Sequence, residues 1–152
     1  MKIKPFDCVS KEHYDLLLSA DPDRRMVDSY LARAEKFEAV IDDQLVGLIV
    51  LIDTHPRTLE IVNLAVKEAF QNQGIAQRLL EFAETWAKDQ QVRTLEIATG
   101  TTSFAQLYLY QKMGIRVISV ERDFFTRNYQ APIIENKLLL KDLLRLNKRI
   151  FG

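Results

Sequence analysis

The alternation of apolar and polar residues predicts a strand, a turn and a helix in the middle of the chain. Residues 59–66 are mostly apolar and rich in β-branched side chains, which is typical of a buried strand. From Ala76 to Ala87, apolar residues recur at the spacing of one helix face. The turn between them, residues 71–76, contains Gly74 and would present the unpaired N–H groups that begin a helix. Such a turn favours an anion, so the pattern predicts a phosphate-binding loop.

The same patterns predict a mixed sheet with helices around it. Apolar runs predict strands over 2–7, 37–41, 45–52, 92–98 and 116–121, and helical spacing predicts helices over 10–18, 27–34 and 103–113. The first helix begins with Ser10-x-x-His13, without the Glu or Gln of a capping box, and Pro22 can begin a turn or a helix. The Leu-rich residues 133–146 predict a last strand that runs into a short helix. Hairpins followed by alternating strands and helices are typical of a fold with a mixed sheet.

Two sequence blocks resemble the signatures of one family. The first, Gln71-x-x-Gly74-x-Ala76, resembles the acyl-CoA pyrophosphate loop of the GNAT N-acetyltransferase superfamily. The second, residues 110–115, resembles the Tyr-x-Lys-x-Gly-Phe block of the same superfamily, with Ile115 in place of the aromatic residue. The blocks follow the family's order and approximate separation, and the resemblance covers residues 37–121. It implies a single-domain, GNAT-like α/β fold over residues 1–152, with a mixed sheet flanked by helices.

Composition narrows the class of protein further. The chain has 152 residues, with 21 Lys and Arg against 21 Asp and Glu, so bulk charge does not favour nucleic acid as a partner. The single cysteine, Cys8, cannot form an internal disulfide, and no Cys/His spacing fits zinc, so no metal is expected. The sequence contains neither an apolar signal region nor a run of about 20 apolar residues. We therefore expect a cytoplasmic protein that does not enter a membrane.

The resemblance implies that acetyl-CoA is the co-substrate, and it assigns residues to CoA binding. Backbone N–H groups of the loop would face the CoA pyrophosphate, and the strand before the loop would lie beside the pantetheine arm. Ser103, a predicted helix N-cap, stands where the family often has an Asn that contacts this arm. The residues implied in CoA binding are Leu64, Ala65, Val66, Gln71, Asn72, Gln73, Gly74, Ile75, Ala76 and Ser103.

Tyr110 is the candidate general acid. In the family, the tyrosine of this block protonates the thiolate that leaves when an amine attacks the thioester. An ordinary Tyr pKa of about 10 keeps the phenol protonated at neutral pH. A base must also take a proton from the acceptor ammonium. Glu60 and Glu96 are both candidates, each with a water relay, and Glu60 is favoured because its strand would flank the acceptor.

Polar and aromatic residues near these positions predict an acceptor pocket. Asn63 interrupts an apolar run and would either face the acceptor or bond a neighbouring strand. Tyr108 would be either a wall of the pocket or an uninvolved neighbour of Tyr110. Phe125 and Tyr129 belong to the aromatic segment 124–134, which we expect to shape the pocket. The sequence leaves the acceptor open, as a small-molecule or peptide amine.

Two functions fit these features. The first is an acetyl-CoA-dependent N-acetyltransferase in which the amine attacks the bound thioester directly, in a ternary complex. The alternative is a non-catalytic acyl-CoA-binding sensor or interaction module of the same fold, since fold does not fix function. The presence of Tyr110 favours the enzyme. The oligomeric state is open, and the Leu-rich tail could bury itself in a homodimer.

Overall fold

A seven-stranded mixed sheet forms the centre of the protein in the computed structural model, which describes residues 1–150. The strands lie in the order β1-β2-β3-β4-β5-β9-β6, and a separate hairpin consists of β7 and β8. Only β4 and β5 pair in parallel among the strands of these residues. The strands are β1 Lys2–Pro5, β2 Glu35–Ile41, β3 Gln44–His55, β4 Thr58–Val66, β5 Thr94–Gly100, β6 Arg116–Glu121, β7 Ile134–Glu135, β8 Leu138–Leu139 and β9 Leu143–Arg149.

The helices cover both faces of this sheet and bury two separate cores. The α-helices within residues 1–150 are α1 Lys11–Ala20, α2 Arg24–Leu31, α3 Ile75–Asp89, α4 Phe104–Lys112 and α5 Phe124–Asn128, and a 3-10 turn spans Glu68–Phe70. On one face, Leu79 of α3 and Tyr110 of α4 pack with Ile61 of β4. On the other face, Leu17 of α1 and Tyr30 of α2 pack against β3 and β4. None of these helices is long and apolar enough to cross a membrane.

A β-bulge at Val62 reverses which side chains of β4 face each core. Val50 pairs with Asn63 and Leu51 pairs with Ile61, so Val62 is the extra residue. Before the bulge, Ile61 packs in the core beside α3 and α4. After it, Asn63 reaches the opposite face, where its Nδ2 donates to the carbonyl of Leu17 at 3.1 Å. Bulges are common next to active sites because they redirect a side chain.

Strands β4 and β5 separate after the bulge. They pair only from Thr58 opposite Thr94 to Ile61 opposite Ile97. Beyond this point β5 keeps its pairing with β9 up to Gly100, whereas β4 keeps its pairing with β3 up to Val66. The opening between the two strands is the feature of the sheet that positions the site described below.

Most predicted elements are present, with shifted ends, and the largest differences are at the N-terminal helices and the tail. The first helix does have a capping box, because the His13 imidazole takes the place of Glu and accepts from the Ser10 N–H at 3.1 Å. Pro22 lies before the second helix, whose N-cap is Asp23. The predicted helix near the end of the tail is wrong.

In place of that helix, the tail forms the β7–β8 hairpin and β9. Asn136 and Lys137 connect the hairpin, with φ of 53° and 64°, and Asn is among the residues that tolerate such values. Strand β9 lies between β5 and β6, so its backbone groups bond on both sides. The short helix α5 was not among the elements that periodicity predicts, because five residues are too few to show a helical repeat.

Candidate active site

A cavity of about 530 Å³ lies where β4 and β5 separate. Residues 60–64 of β4 and 97–100 of β5 line it, together with Tyr30 of α2 and Tyr110 of α4. Since α2 and α4 pack on opposite faces of the sheet, the cavity is lined from both faces. The predicted site residues that line it are Glu60, Asn63, Leu64, Ser103, Tyr110, Phe125 and Tyr129.

The predicted phosphate loop lies at the start of α3 and is open to solvent. Gly74 is the N-cap of the helix with φ of +82°, a conformation that glycine adopts at little cost. The helix start has no side-chain cap, and the Arg78 N–H donates to the Gly74 carbonyl at 3.1 Å. A Cβ built on Gly74 would meet no atom of the described residues within 4 Å. Within residues 1–150, no side chain caps the N–H groups that precede Arg78 in α3, so they can donate to an external acceptor such as a phosphate.

Strand β4 connects this loop to the cavity. Leu64 lines the cavity, and two residues later the carbonyl of Val66 accepts a hydrogen bond from Nε2 of Gln71 at 3.1 Å. The Gln71 side chain therefore ties the loop to the end of the strand. None of residues 71–76 lines the cavity itself, so the loop and the cavity are two separate features, joined by the end of β4.

Tyr110 is a buried phenol on the α4 side of the cavity. Its side chain is 4% exposed and packs in the core beside α3. Burial raises the pKa of Tyr110 well above its ordinary value, because the phenolate would lose hydration. The phenol is therefore fully protonated at neutral pH, as a proton donor must be. Tyr108, in contrast, is 69% exposed and does not line the cavity.

Glu60 lies within β4, directly beside Glu96 of β5 in the parallel register. Burial raises the pKa of Glu60, and the negative charge of Glu96 raises it further, against the lowering effect of Arg145. A carboxyl with a raised pKa is a better base than an ordinary one. Glu96 does not line the cavity, and its carboxylate accepts from the Thr54 hydroxyl at 3.4 Å. Of the two candidate bases, only Glu60 faces the cavity within the described residues.

We expect the change Glu60→Gln to stabilise the fold at neutral pH but not in acid. Between the pKa of Glu60 in the unfolded chain and its raised pKa in the folded protein, the folded state binds the proton more tightly. The free energy of unfolding therefore falls as pH rises through this range. A Gln side chain does not ionise, so the variant does not lose this stability. The melting temperature of Glu60→Gln should therefore exceed that of the wild type at about pH 7, and the difference should shrink near pH 4. Glu68→Gln, at an exposed position, is the control. An equal gain in melting temperature at both pH values for Glu60→Gln would contradict the raised pKa of Glu60.

The other side of the cavity carries a hydrogen-bonded cluster from distant parts of the chain. Nδ2 of Asn63 donates to the Tyr30 hydroxyl at 2.9 Å, and the Tyr129 hydroxyl donates to Oδ1 of Asp21 at 2.8 Å. Burial raises the pKa of Tyr30 to about 12. Sequence reasoning missed Asp21 and Tyr30 as site residues. Asp21 was visible only as part of an Asp-Pro-Asp turn, and Tyr30 only as a residue of a predicted helix.

Ser103 occupies the N-cap position of α4, as predicted, but its hydroxyl does not cap the helix. It donates instead to Oε1 of Glu135 in β7 at 2.6 Å. The Asn136 side chain also donates to the Thr102 carbonyl at 2.7 Å. The β7–β8 hairpin is thereby fastened to the start of α4 and forms one wall of the cavity. Glu135 is a third residue of the cavity that the sequence did not indicate.

Comparison with known proteins gives one consistent family. Residues 6–115 match the family model described as the acetyltransferase (GNAT) family. The uncharacterized N-acetyltransferase YvbK of Bacillus subtilis is 44% identical over 146 residues, which cover 96% of this chain and 94% of that protein. A B. subtilis acetyltransferase solved in complex with CoA matches with a TM-score of 0.94 and 43% identity, over 99% of both chains.

A third similar protein has been solved with the co-substrate itself. A GNAT family acetyltransferase from Elizabethkingia anophelis with acetyl-CoA bound matches with a TM-score of 0.93 and 40% identity, over 97% of both chains. These matches extend over the loop, over the separated strands and over Tyr110. The chain belongs to the GNAT acetyltransferase family and is an acetyl-CoA-dependent N-acetyltransferase.

Proposed function

We propose that the acetyl group passes directly from acetyl-CoA to an amine inside the cavity between β4 and β5. The observation that carries this proposal is that residues from both faces of the sheet line the cavity. A thioester that enters from the side of α3 and α4 can therefore meet an amine that enters from the side of α1 and α2. Catalysis then consists largely of holding the two substrates in the reacting geometry.

CoA would lie along the end of β4. Backbone N–H groups of Gln73, Gly74, Ile75 and Ala76 would bind the pyrophosphate, with Gln71 and Asn72 at the edge of the loop. Residues 64–66 would pair with the amides of the pantetheine arm, since β5 does not pair with this part of β4. Ser103 would stand near the thioester end of the arm, with its hydroxyl oriented by Glu135.

The proton steps would use Glu60 and Tyr110. Glu60, directly or through a water, takes a proton from the acceptor ammonium. The neutral amine then attacks the thioester carbon, so that an N–C bond forms while the C–S bond breaks. The phenol of Tyr110 gives its proton to the leaving thiolate and regains one from the acylated nitrogen, directly or through a water. The proton on Glu60 passes to solvent, and the products are the neutral acetamide and CoA thiol.

Steady-state kinetics test the direct route. Initial rates measured over a grid of acetyl-CoA and amine concentrations should give intersecting reciprocal plots, because both substrates are bound before transfer. Parallel plots would indicate an acetyl-enzyme and contradict the proposal. The same assay decides against the non-catalytic alternative, which binds CoA without releasing thiol for any amine.

Cys8 provides a further test of direct transfer. It is the only free thiol of the described residues, it is exposed, and it does not line the cavity. We expect Cys8→Ser to keep kcat and both KM values within about twofold of the wild type, since surface changes away from a site have small effects. A large loss of kcat in Cys8→Ser, measured beside the wild type in the same thiol-release assay, would indicate a covalent acetyl-cysteine.

We further propose that residues 1–152 form one domain that acts on a small-molecule or peptide amine, without nucleic acid, in the cytoplasm. An exposed free Cys8 is in keeping with a reducing compartment.

A homodimer is also proposed, through β6 at the edge of the sheet, where Val117, Ile118 and Val120 are 43%, 52% and 54% exposed. Sedimentation of the wild type and Ile118→Lys should show a dimer and a monomer respectively, and a monomeric wild type would contradict it.

A further inference from the structure

We infer that the amine acceptor carries a second, positively charged amino group, and that Asp21 and the aromatic rings of α5 bind this group. The inference deepens the proposed function and rests on it, because it assigns the chemical class of the molecule that the same cavity accepts. It makes the acceptor a diamine or polyamine, in which one amine reacts near Glu60 and the other holds the molecule in place.

Asp21 is a partly buried carboxylate that no basic side chain neutralises among residues 1–150. It lies in the turn between α1 and α2 and lines the cavity. Its Oδ1 accepts from the Tyr129 hydroxyl at 2.8 Å and, weakly, from the Asp23 N–H at 3.4 Å. No Lys, Arg or His of the described part of the chain forms an ion pair with it. Burial and the nearby charge of Asp23 raise the pKa of Asp21, so a cation at this place would be favourable.

Three aromatic rings form a cluster in the cavity wall, and one of them, that of Tyr129, bonds this carboxylate through its hydroxyl. The centroids of the Phe124 and Phe125 rings are 5.1 Å apart, and the Tyr129 ring lies 5.5 Å from Phe125 and 6.4 Å from Phe124. All three residues line the cavity, and Tyr129 is the one that bonds Asp21. The faces of aromatic rings attract ammonium groups, most strongly where water is partly excluded. A carboxylate beside aromatic faces is therefore suited to an organic cation.

Asn63 adds an independent observation that points to a hydrogen-bond donor in the ligand. The residue is 4% exposed and lines the cavity. Its Nδ2 already donates twice, to the Leu17 carbonyl and to the Tyr30 hydroxyl. Its Oδ1 is buried and has no hydrogen-bond partner among the described residues. A buried acceptor without a partner is costly, and an N–H of an amine in the cavity would satisfy it.

The charges around the cavity disfavour an anionic acceptor. The described residues that line it include three carboxylates, Asp21, Glu60 and Glu135, and one basic side chain, Arg145. Arg145 is already engaged, because its guanidinium donates to Glu121 at 2.8 Å. A carboxylate or phosphate on the acceptor would face an excess of negative charge, whereas a second ammonium would pair with Asp21.

The test compares acceptors that differ only at the far end of the molecule. Diaminobutane, diaminopentane and diaminohexane are assayed against butylamine, pentylamine and hexylamine, and against aminopentanoate. The wild type should acetylate at least one diamine with kcat/KM about 10- to 100-fold above its matched monoamine, as expected for a hydrogen bond to a charged group. Aminopentanoate should be the poorest acceptor.

Asp21→Asn then links the preference to the residue. It should lower kcat/KM for the diamine by about 10- to 100-fold and leave the monoamine within about threefold. Asp15→Asn, on the exposed side of α1, removes the same charge outside the cavity and should change neither. Equal use of diamines and monoamines by the wild type, or an equal loss for both in Asp21→Asn, would overturn the inference.

Loss of the proposed function would look different. If CoA is bound but no acceptor is acetylated, the proposed acetyl transfer is contradicted. Calorimetry then tests separately whether the cavity prefers a diamine. The CoA-loaded wild type should then bind the diamine more tightly than the monoamine, and Asp21→Asn should abolish the difference. No difference between diamine and monoamine in the CoA-loaded wild type would overturn the inference.

Discussion

Tyr110→Phe is expected to lower kcat by about 10²- to 10⁴-fold while the dissociation constant for CoA changes little. The change removes only the hydroxyl, and the ring is part of the buried core beside α3, so the fold should be kept. Without the phenol, the thiolate must leave unprotonated or take its proton from water. Thiol release by wild type and mutant at saturating acetyl-CoA measures the loss, and calorimetry with CoA measures binding.

Tyr108→Phe is the matched control for this experiment. It makes the same chemical change two residues earlier on the same helix, at a side chain that is 69% exposed and outside the cavity. Its kcat should stay within about twofold of the wild type. A Tyr110→Phe enzyme that keeps wild-type kcat, or a Tyr108→Phe enzyme that loses it, would contradict the role proposed for Tyr110.

Gly74→Val is expected to weaken CoA binding by about 10- to 100-fold. Gly74 has a φ of +82°, which costs a β-branched residue about 1–3 kcal/mol, and each 1.4 kcal/mol is tenfold in affinity. A Cβ at this position would meet no atom of residues 1–150 within 4 Å, so the cost comes from the backbone and not from a collision. The loop would relax to a conformation in which the first N–H groups of α3 no longer converge on the pyrophosphate.

Gly74→Asn separates the backbone effect from the mere presence of a side chain. Asn adopts a left-handed conformation more readily than other non-glycine residues, so CoA binding should fall only a few-fold. Calorimetry with CoA, with melting curves to verify folding, compares the two variants. Equal weakening of CoA binding by Val and by Asn would mean that any side chain at this position blocks the ligand. Wild-type affinity in Gly74→Val would mean that the loop does not bind CoA.

The parts of the site that depend on local sequence could be predicted, and the parts that depend on distant contacts could not. The loop at Gly74 follows from a strand, a turn and a helix that are neighbours in the chain. The bulge at Val62 exists only relative to β3, so the run of residues 59–66 cannot reveal that Asn63 and Ile61 face opposite sides. Sequence reasoning therefore left two roles open for Asn63, and the structure shows that it lines the cavity and also bonds a neighbouring helix.

The acceptor side shows the same limit more strongly. The aromatic segment after β6 was recognised, but its partner was not, because Tyr129 and Asp21 are 108 residues apart in the chain. The capping box of α1 was missed for a chemical reason, since His13 performs with an imidazole nitrogen what Glu usually performs with a carboxylate. The tail was wrongly predicted to end in a helix because its Leu residues suit a helix as well as a strand. The strand forms because it can pair with β5, which is far away in the sequence.

The most direct test that this protein acetylates amines is a thiol-release assay of the wild type with acetyl-CoA and the panel of diamines and monoamines. We predict that CoA forms only when an amine is present, in step with the acetylated amine, and fastest with a diamine. Tight binding of CoA with no amine-dependent release of thiol across the panel would contradict it and would favour a protein that binds acyl-CoA without catalysis.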